Sequence, residues 1–328
     1  MEKTDITVEE IKKASGIIGR LGEYYKSKVV GQQFLGYSLL VSMITNGHIL
    51  IESVPGLAKT TAAKVMTDAV DGSFSRIQCT PDLLPSDIIG TQTYNAATNS
   101  FENKLGPVYA NFVLLDEINR SSAKTQSAML EAMQEHMVTI GGKTYNMPEV
   151  FVVIATQNPV EQEGTYVLSE AQLDRFLLKV NLDYPNRNEE MEILNRIEGD
   201  VFSKSNAVSN VEEIVFLQDL CKKVYMDQSI KKYIVDIVQA SRNADKLLPP
   251  ELAQYVAMGA STRAAISFME VAKAVALING RTYCIPDDVK TMRYSILRHR
   301  IMLNFAAMAD DIKEETIIDA IIGTVKTP

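Results

Sequence analysis

The chain has 328 residues, 46% of them hydrophobic, and a formal net charge of −8 at pH 7. That length suffices for two domains with cores of their own, and the acidic balance speaks against sequence-independent binding to a nucleic-acid backbone. No apolar run reaches the length of a membrane span. The opening Met1-Glu2-Lys3-Thr4-Asp5 lacks the basic and apolar regions of a signal peptide, and Cys79, Cys221 and Cys284, few and far apart, suit a reducing cytoplasm as buried or neutral thiols rather than a disulfide or zinc framework.

In chain order, residues 8–25 carry a helical pattern that leads into Val29-Val30-Gly31-Gln32. The apolar run His48–Ile51 then meets Ser53-Val54-Pro55-Gly56-Leu57-Ala58-Lys59-Thr60, and a helix-compatible segment follows over residues 61–70. Strand, tight loop, Lys-Thr and helix is the layout that holds a nucleoside triphosphate. The loop N–H groups and the helix N-terminus face phosphate oxygens, Lys59 reaches the β- and γ-phosphates, and the Thr60 hydroxyl ligates Mg²⁺. The pattern G-x-x-x-x-G-K-[ST] is incomplete, because Ser53 and Ala58 stand where its outer glycines belong. A positive φ at Ala58 would be strained. By itself the loop fits either a phosphate site or an ordinary strand–turn–helix with a surface lysine.

Further β-rich runs follow at Phe74–Cys79, Phe112–Leu115, Val150–Ala155 and Phe176–Asn181. Their nearly continuous Val/Ile/Leu content is that of parallel strands covered on both faces. Residues 121–136 alternate with them as a helix, with Ala128, Met129, Leu130 and Met133 at core-facing intervals. This predicts a layered α/β domain. The strand from Phe112 ends in Asp116-Glu117. Ligands of open α/β sheets bind beyond the carboxyl ends of strands, so Asp116 is a candidate Mg²⁺ ligand and Glu117 a candidate general base for water; a solvated acid pair would look the same. The strand from Val150 runs into Thr156-Gln157-Asn158-Pro159, where Asn158 could meet the γ-phosphate and Asn-Pro could equally be a turn. Residues 90–107 suggest a hairpin-like excursion, and Met137 to Tyr145 read as two short strands around Gly141-Gly142.

After Asp183-Tyr184-Pro185-Asn186 the pattern becomes mainly helical, at 189–197, 228–243, 262–278, 286–299 and 314–322. Pro286 followed by Asp287 and Asp288 reads as a helix start. The boundary falls near residue 187. Arg293, Arg298, His299 and Arg300 read as a solvated helix face, and His48, His136 and His299 show no metal-ligand spacing.

Long runs join these motifs. They are Cys79-Thr80-Pro81-Asp82-Leu83-Leu84-Pro85-Ser86-Asp87; Asp116-Glu117-Ile118-Asn119-Arg120, continuing through Lys124-Thr125-Gln126-Ser127 to Leu130-Glu131-Ala132-Met133-Gln134-Glu135; and Ala155-Thr156-Gln157-Asn158-Pro159, passing through residues 161–166 into Glu170-Ala171-Gln172-Leu173-Asp174-Arg175-Phe176. In this order they resemble the AAA+ ATPases, and specifically the MoxR family. The similarity covers nearly the whole chain and is densest between residues 50 and 185.

The resemblance implies an α/β fold: an AAA+ αβα core of the P-loop NTPase type with a five-stranded parallel sheet over residues 1–187, and a C-terminal all-helical lid over 188–328. It identifies the excursion near 90–107 with the helix-2 insert and the hairpin near 137–147 with the pre-sensor 1 hairpin. Those loops either touch a client or shape subunit contacts. MoxR-like loops often read P-G-x-A-K-T, which accommodates Ala58; Ser53 is less usual. The phosphate cradle would be Val54, Pro55, Gly56, Leu57, Ala58, Lys59, Thr60 and Thr61, with Thr60 and Asp116 as metal ligands. Asp116 and Glu117 would form the Walker B pair and Asn158 sensor 1. Arg175 would be the arginine finger that reaches a neighbouring subunit's nucleotide, and Arg263 would be sensor 2 of the lid, although Ala260 and Thr262 replace prolines common in the family. Val30, Gly31 and Gln32 would line the adenine pocket. A planar guanidinium suits both arginine roles, since it donates two hydrogen bonds and stays charged.

The expected function is then Mg²⁺-dependent ATP hydrolysis by a cytoplasmic homo-oligomeric ring, a hexamer. It would drive chaperone-like maturation or activation of client proteins, with a partner carrying a von Willebrand factor A domain. The alternatives are an ATP-driven nucleic-acid motor or chelatase-type subunit, which share the inserts, and a nucleotide-gated scaffold, which Ser53 suggests.

Overall fold

The computed structural model describes residues 6–54, 56–57, 59–159, 165–198 and 206–328. The chain divides into two compact units. One comprises Ile17–Phe176 and Val180–Val215; the other comprises Met1–Gly16, Leu177–Lys179 and Phe216–Pro328.

The five predicted apolar runs form one sheet, and four of its strands lie wholly in the first unit. The strands are β1 (Ile49–Glu52), β2 (Phe74–Gln78), β3 (Phe112–Asp116), β4 (Val152–Gln157) and β5 (Leu178–Asn181), in the sheet order β5-β1-β4-β3-β2. The ladders β1–β4, β4–β3 and β3–β2 are parallel. Every residue of β3 is buried, as is β4 up to Thr156, which explains why neither sequence alternates between apolar and polar. The helix Ala123–Glu135 lays Met129, Leu130 and Met133 against Val113, Leu115, Phe151 and Val153. Each such buried side chain contributes about 1.5–3 kcal/mol. That helix starts where Ser122 Oγ accepts the Thr125 N–H (3.3 Å) and ends at His136, which takes a left-handed conformation with φ 50°.

Both excursions are antiparallel hairpins, Gly90–Asn95 with Ser100–Leu105 and Met137–Ile140 with Lys143–Asn146. Gly141 and Gly142 have φ of 55° and 79°, so the second turn needs the positive φ that glycine tolerates. Asn103 fastens one hairpin to the other: its Nδ2 donates to Ile140 O at 2.7 Å and to Tyr145 Oη at 3.2 Å.

The second unit centres on the helix Thr262–Ile278, which buries Ala264, Phe268, Val271, Ala272 and Val275. Its described residues are mainly helical, with a short antiparallel ladder between Val256–Met258 and Met302–Leu303 and an isolated bridge between Tyr225 and Tyr283, so the expected all-helical lid carries small β elements. The expected helix 286–299 is broken at Met292 into Pro286–Thr291 and Arg293–Leu297. Met292 is fully buried with φ −116° and ψ 24°, so the chain bends to pack it.

The predicted helix start at Pro286 is present. Asp288 accepts the Ile285 N–H at 2.8 Å and pairs with Arg281. The arginine cluster is not a solvated face. Arg300 and His299 are buried; Arg300 donates to Ile296 O (2.7 Å), Leu177 O (3.2 Å) and Ser267 Oγ (3.1 Å), and Arg298 pairs with Glu315. A buried guanidinium requires such acceptors. The three cysteines are buried free thiols that burial pushes up to about 12, so they are neutral at pH 7. Among the described residues no helix is long and apolar enough to cross a membrane.

Candidate active site

The carboxyl ends of β1, β4, β3 and β2 lie side by side. Ile51 pairs with Thr156, Leu115 with Ala155, and Gln78 with Asp116. Asp116 and Thr156, each one step past the Leu115–Ala155 pair, are thereby neighbours, and the loops leaving these strands share one edge of the sheet.

The loop after β1 turns at Gly56, whose φ is 87°, and the helix Lys59–Asp68 begins two residues after Leu57. Ser53 is buried and does not adopt a positive φ, so the serine in the place of a glycine is unstrained. Pro55 and Ala58 lie outside the described residues. Lys59 Nζ donates to Ser53 O at 2.9 Å and reaches Gln157 O at 3.5 Å, bridging the ends of β1 and β4. Two carbonyls and the N-terminus of a ten-residue helix leave this lysine over an anion-binding end.

Thr60 Oγ1 lies 3.3 and 3.2 Å from the two carboxylate oxygens of Asp116. Asp116 is buried, and its Oδ1 also accepts from Thr156 Oγ1 at 2.9 Å. These hard oxygen donors fit Mg²⁺, whose remaining octahedral positions phosphate oxygens and water can fill.

Glu117 has φ 58° and ψ 54°. A left-handed glutamate costs about 1–2 kcal/mol and persists only where its surroundings enforce it. Here its N–H donates to Thr156 Oγ1 at 2.9 Å, and the turn Ile118–Arg120 follows at once. The carboxylate of Glu117 accepts from Gln78 Nε2 at 3.2 Å and pairs with Arg120 Nε at 3.2 Å. Asn158 is buried, and its carbonyl accepts from Asn119 Nδ2 at 3.3 Å. Gln126, also buried, donates to Ile118 O, Ser121 O and Tyr166 O, bracing the turn after Glu117 against the segment from residue 165.

The structure thus joins Lys59, Thr60, Asp116, Glu117 and the end of β4 in one hydrogen-bonded cluster. Other predicted residues lie in other parts of the chain. Val30 precedes Gly31 and Gln32, whose φ values are 63° and 49°. Gln32 is tied to Tyr25 and Asp183, and a side chain on Gly31 would meet the Glu189 carboxylate at 2.9 Å. Arg175 follows the short helix Glu170–Leu173, and its Nε is buried without a hydrogen-bond partner. Arg263 is exposed in the first turn of the helix Thr262–Ile278, where its N–H donates to the N-cap Ser261 Oγ at 3.1 Å. Val54, Leu57 and Thr61 flank the lysine turn in sequence, and the run 161–164 lies outside the described residues.

Three members of the cluster escape a reading of the sequence: Thr156, which bridges the two acids, and Arg76 and Gln78 on β2. Arg76 Nη2 and Nε contact Asp116 Oδ2 at 2.6 and 3.1 Å. The one local signal is the alternation of polar Arg76 and Gln78 about buried Ile77 on an edge strand.

A parallel sheet in this strand order, with a lysine-bearing loop after its first strand and an acid pair after its third, defines an AAA-type ATPase core. The comparisons agree. The model of the ATPase family associated with various cellular activities (AAA) matches residues 48–178, and an AAA lid domain model matches 252–321. The chain is 45% identical over 303 residues to Chaperone MoxR1 of Mycobacterium tuberculosis, covering 92% of this chain and 80% of that protein. It is 42% identical over 318 residues to YeaC of Bacillus subtilis, covering 95% of each. A crystal structure described as a candidate ATPase of Cytophaga hutchinsonii superposes with a TM-score of 0.90 at 44% identity, covering 98% of this chain and 97% of that one. The chain belongs to the MoxR family of AAA+ ATPases.

Proposed function

We propose that this protein hydrolyses ATP to ADP and phosphate with Mg²⁺, as a cytoplasmic ring, a hexamer, and spends the cycle on maturing or activating client proteins together with a von Willebrand factor A domain partner. The division of labour is a nucleotide-binding core through residue 187 and a lid from 188. The observation that carries this reading is the fixed geometry around Thr156, whose one hydroxyl donates to Asp116 and accepts from the strained backbone of Glu117.

In the proposed reaction Lys59 turns its ammonium from the Ser53 and Gln157 carbonyls onto the phosphates, held there with the loop N–H groups. Glu117 accepts a proton from water as the water oxygen attacks the γ-phosphorus and the bond to the bridging oxygen breaks. Gln78 and Arg120 keep that carboxylate aimed at the water. Thr60 and Asp116 would hold Mg²⁺, which when bound offsets charge on the β- and γ-phosphates. Asn158 orients the γ-phosphate, Arg175 supplies positive charge to a neighbouring subunit's nucleotide, and Arg263 reports nucleotide state to the lid. The buried, partnerless Nε of Arg175 supports a role beyond local packing, since such a group is costly unless used.

Calorimetric titration with ATP and ADP, paired with phosphate release by the parent and Glu117→Gln, tests the reading. Both proteins are expected to bind nucleotide, with turnover reduced about 10²–10⁴-fold in the variant. Absence of binding heat, or equal turnover, overturns it.

A further inference from the structure

The Asp116 carboxylate is surrounded by donors of unequal permanence. Thr156 is fully buried and holds Oδ1 at 2.9 Å while accepting the Glu117 N–H. Arg76 stands on the edge strand with its side chain 53% exposed and grips Oδ2 through Nη2 and Nε, whereas the Asp116 side chain is 8% exposed. A buried carboxylate is stable only with a compensating positive charge. Among the described residues Arg76 is the cation in ion-pair contact with Asp116. Thr60 Oγ1 sits about equally far from both oxygens of that carboxylate, 3.2 Å from Oδ2 and 3.3 Å from Oδ1. Mg²⁺ held by Thr60 and Asp116 would share one carboxylate with the guanidinium, and two positive charges a few ångströms apart repel strongly where water is scarce.

We infer that Arg76 is a displaceable counter-ion that competes with Mg²⁺ for Asp116 and so sets the magnesium requirement for nucleotide binding. This rests on the reading of the site as a Mg²⁺–nucleotide pocket. Displacement has a route: Gln78 Oε1, two residues along the same side of β2, already lies 3.5 Å from Arg76 Nη2. The long exposed side chain can swing toward solvent without disturbing the core. Gln78 also donates to Glu117, so release of Arg76 from Asp116 is felt at the water-activating acid. Arg76 is thus a positioning residue, acting through Asp116.

The test is binding of methylanthraniloyl-ADP, followed by fluorescence, at free Mg²⁺ buffered from EDTA conditions to millimolar. The proteins are the parent, Arg76→Gln and Arg76→Lys, each checked for folding by its thermal midpoint. Half-saturating Mg²⁺ is expected to fall about 5- to 10-fold in Arg76→Gln, between the values of an exposed ion pair and a charge-assisted hydrogen bond. Arg76→Lys, which keeps the charge but not the planar fork, should fall between; if Arg76→Gln does not fold, a lower requirement in Arg76→Lys carries the test. An unchanged or raised Mg²⁺ requirement in the folded variants, with binding in the parent still Mg²⁺-dependent, overturns the inference and leaves the pocket reading intact. A parent that binds no nucleotide at any Mg²⁺ level overturns both.

Discussion

His48 makes the stability of the sheet beneath this site depend on pH. Its ring lies just before β1, buried, with Nδ1 accepting the Val153 N–H of β4 at 3.1 Å. Nδ1 must then be bare, so Nε2 carries the proton and donates to Met133 O at 3.1 Å. Burial, with a smaller contribution from nearby His136, lowers its pKa from the ordinary 6.5 to about 4, against the Met133 hydrogen bond, which raises it. The unfolded chain therefore binds this proton at higher pH than the folded one. Above pH 6.5 the group has no effect; as pH falls from 6.5 toward 4 the unfolded state gains protons and stability is lost. Integrated to pH 4.5, that is about 2–3 kcal/mol. His136 is also shifted down by burial and acts in the same direction. Urea unfolding between pH 7.5 and 4.5 should show the loss. His48→Asn, whose carbonyl can still accept from Val153, should be less stable at pH 7.5 and lose about 2–3 kcal/mol less on acidification. Parallel stability curves for the parent and His48→Asn would refute the reasoning.

Two further predictions concern the site. Thr156→Val keeps the shape but removes both hydrogen bonds to the acid pair; it should destabilise the chain by about 1–3 kcal/mol in urea and reduce phosphate release much more than nucleotide affinity, and unchanged turnover would contradict the bridging role. Arg175→Ala should retain nucleotide in calorimetry while turnover falls about 10³-fold, and turnover of the parent should rise with protein concentration; full activity in a dilute monomer would contradict a finger supplied in trans.

The sequence by itself determined whatever depends on neighbours along the chain. The five apolar runs became the five strands of one sheet. A helix follows the lysine turn, although it runs from Lys59 to Asp68 rather than over the expected 61–70, and Val70 lies in a short strand; Gly141-Gly142 turned a hairpin because only a residue free of Cβ takes those angles cheaply, and Pro286 with Asp288 capped a helix. The helix Gln33–Thr45 was not legible, because it buries most of its surface, from Leu35 to Ile44, and so shows no polar face to set a period. Tertiary structure alone decided the rest. Ladder register brought Thr156 and Arg76 to Asp116, residues 40 apart in each case, and sealed Arg300 beneath Leu177 O and Ser267 rather than leaving it in solvent. A local pattern shows that a side chain is charged or polar; which buried partner offsets that charge is fixed only when distant strands and helices close around it.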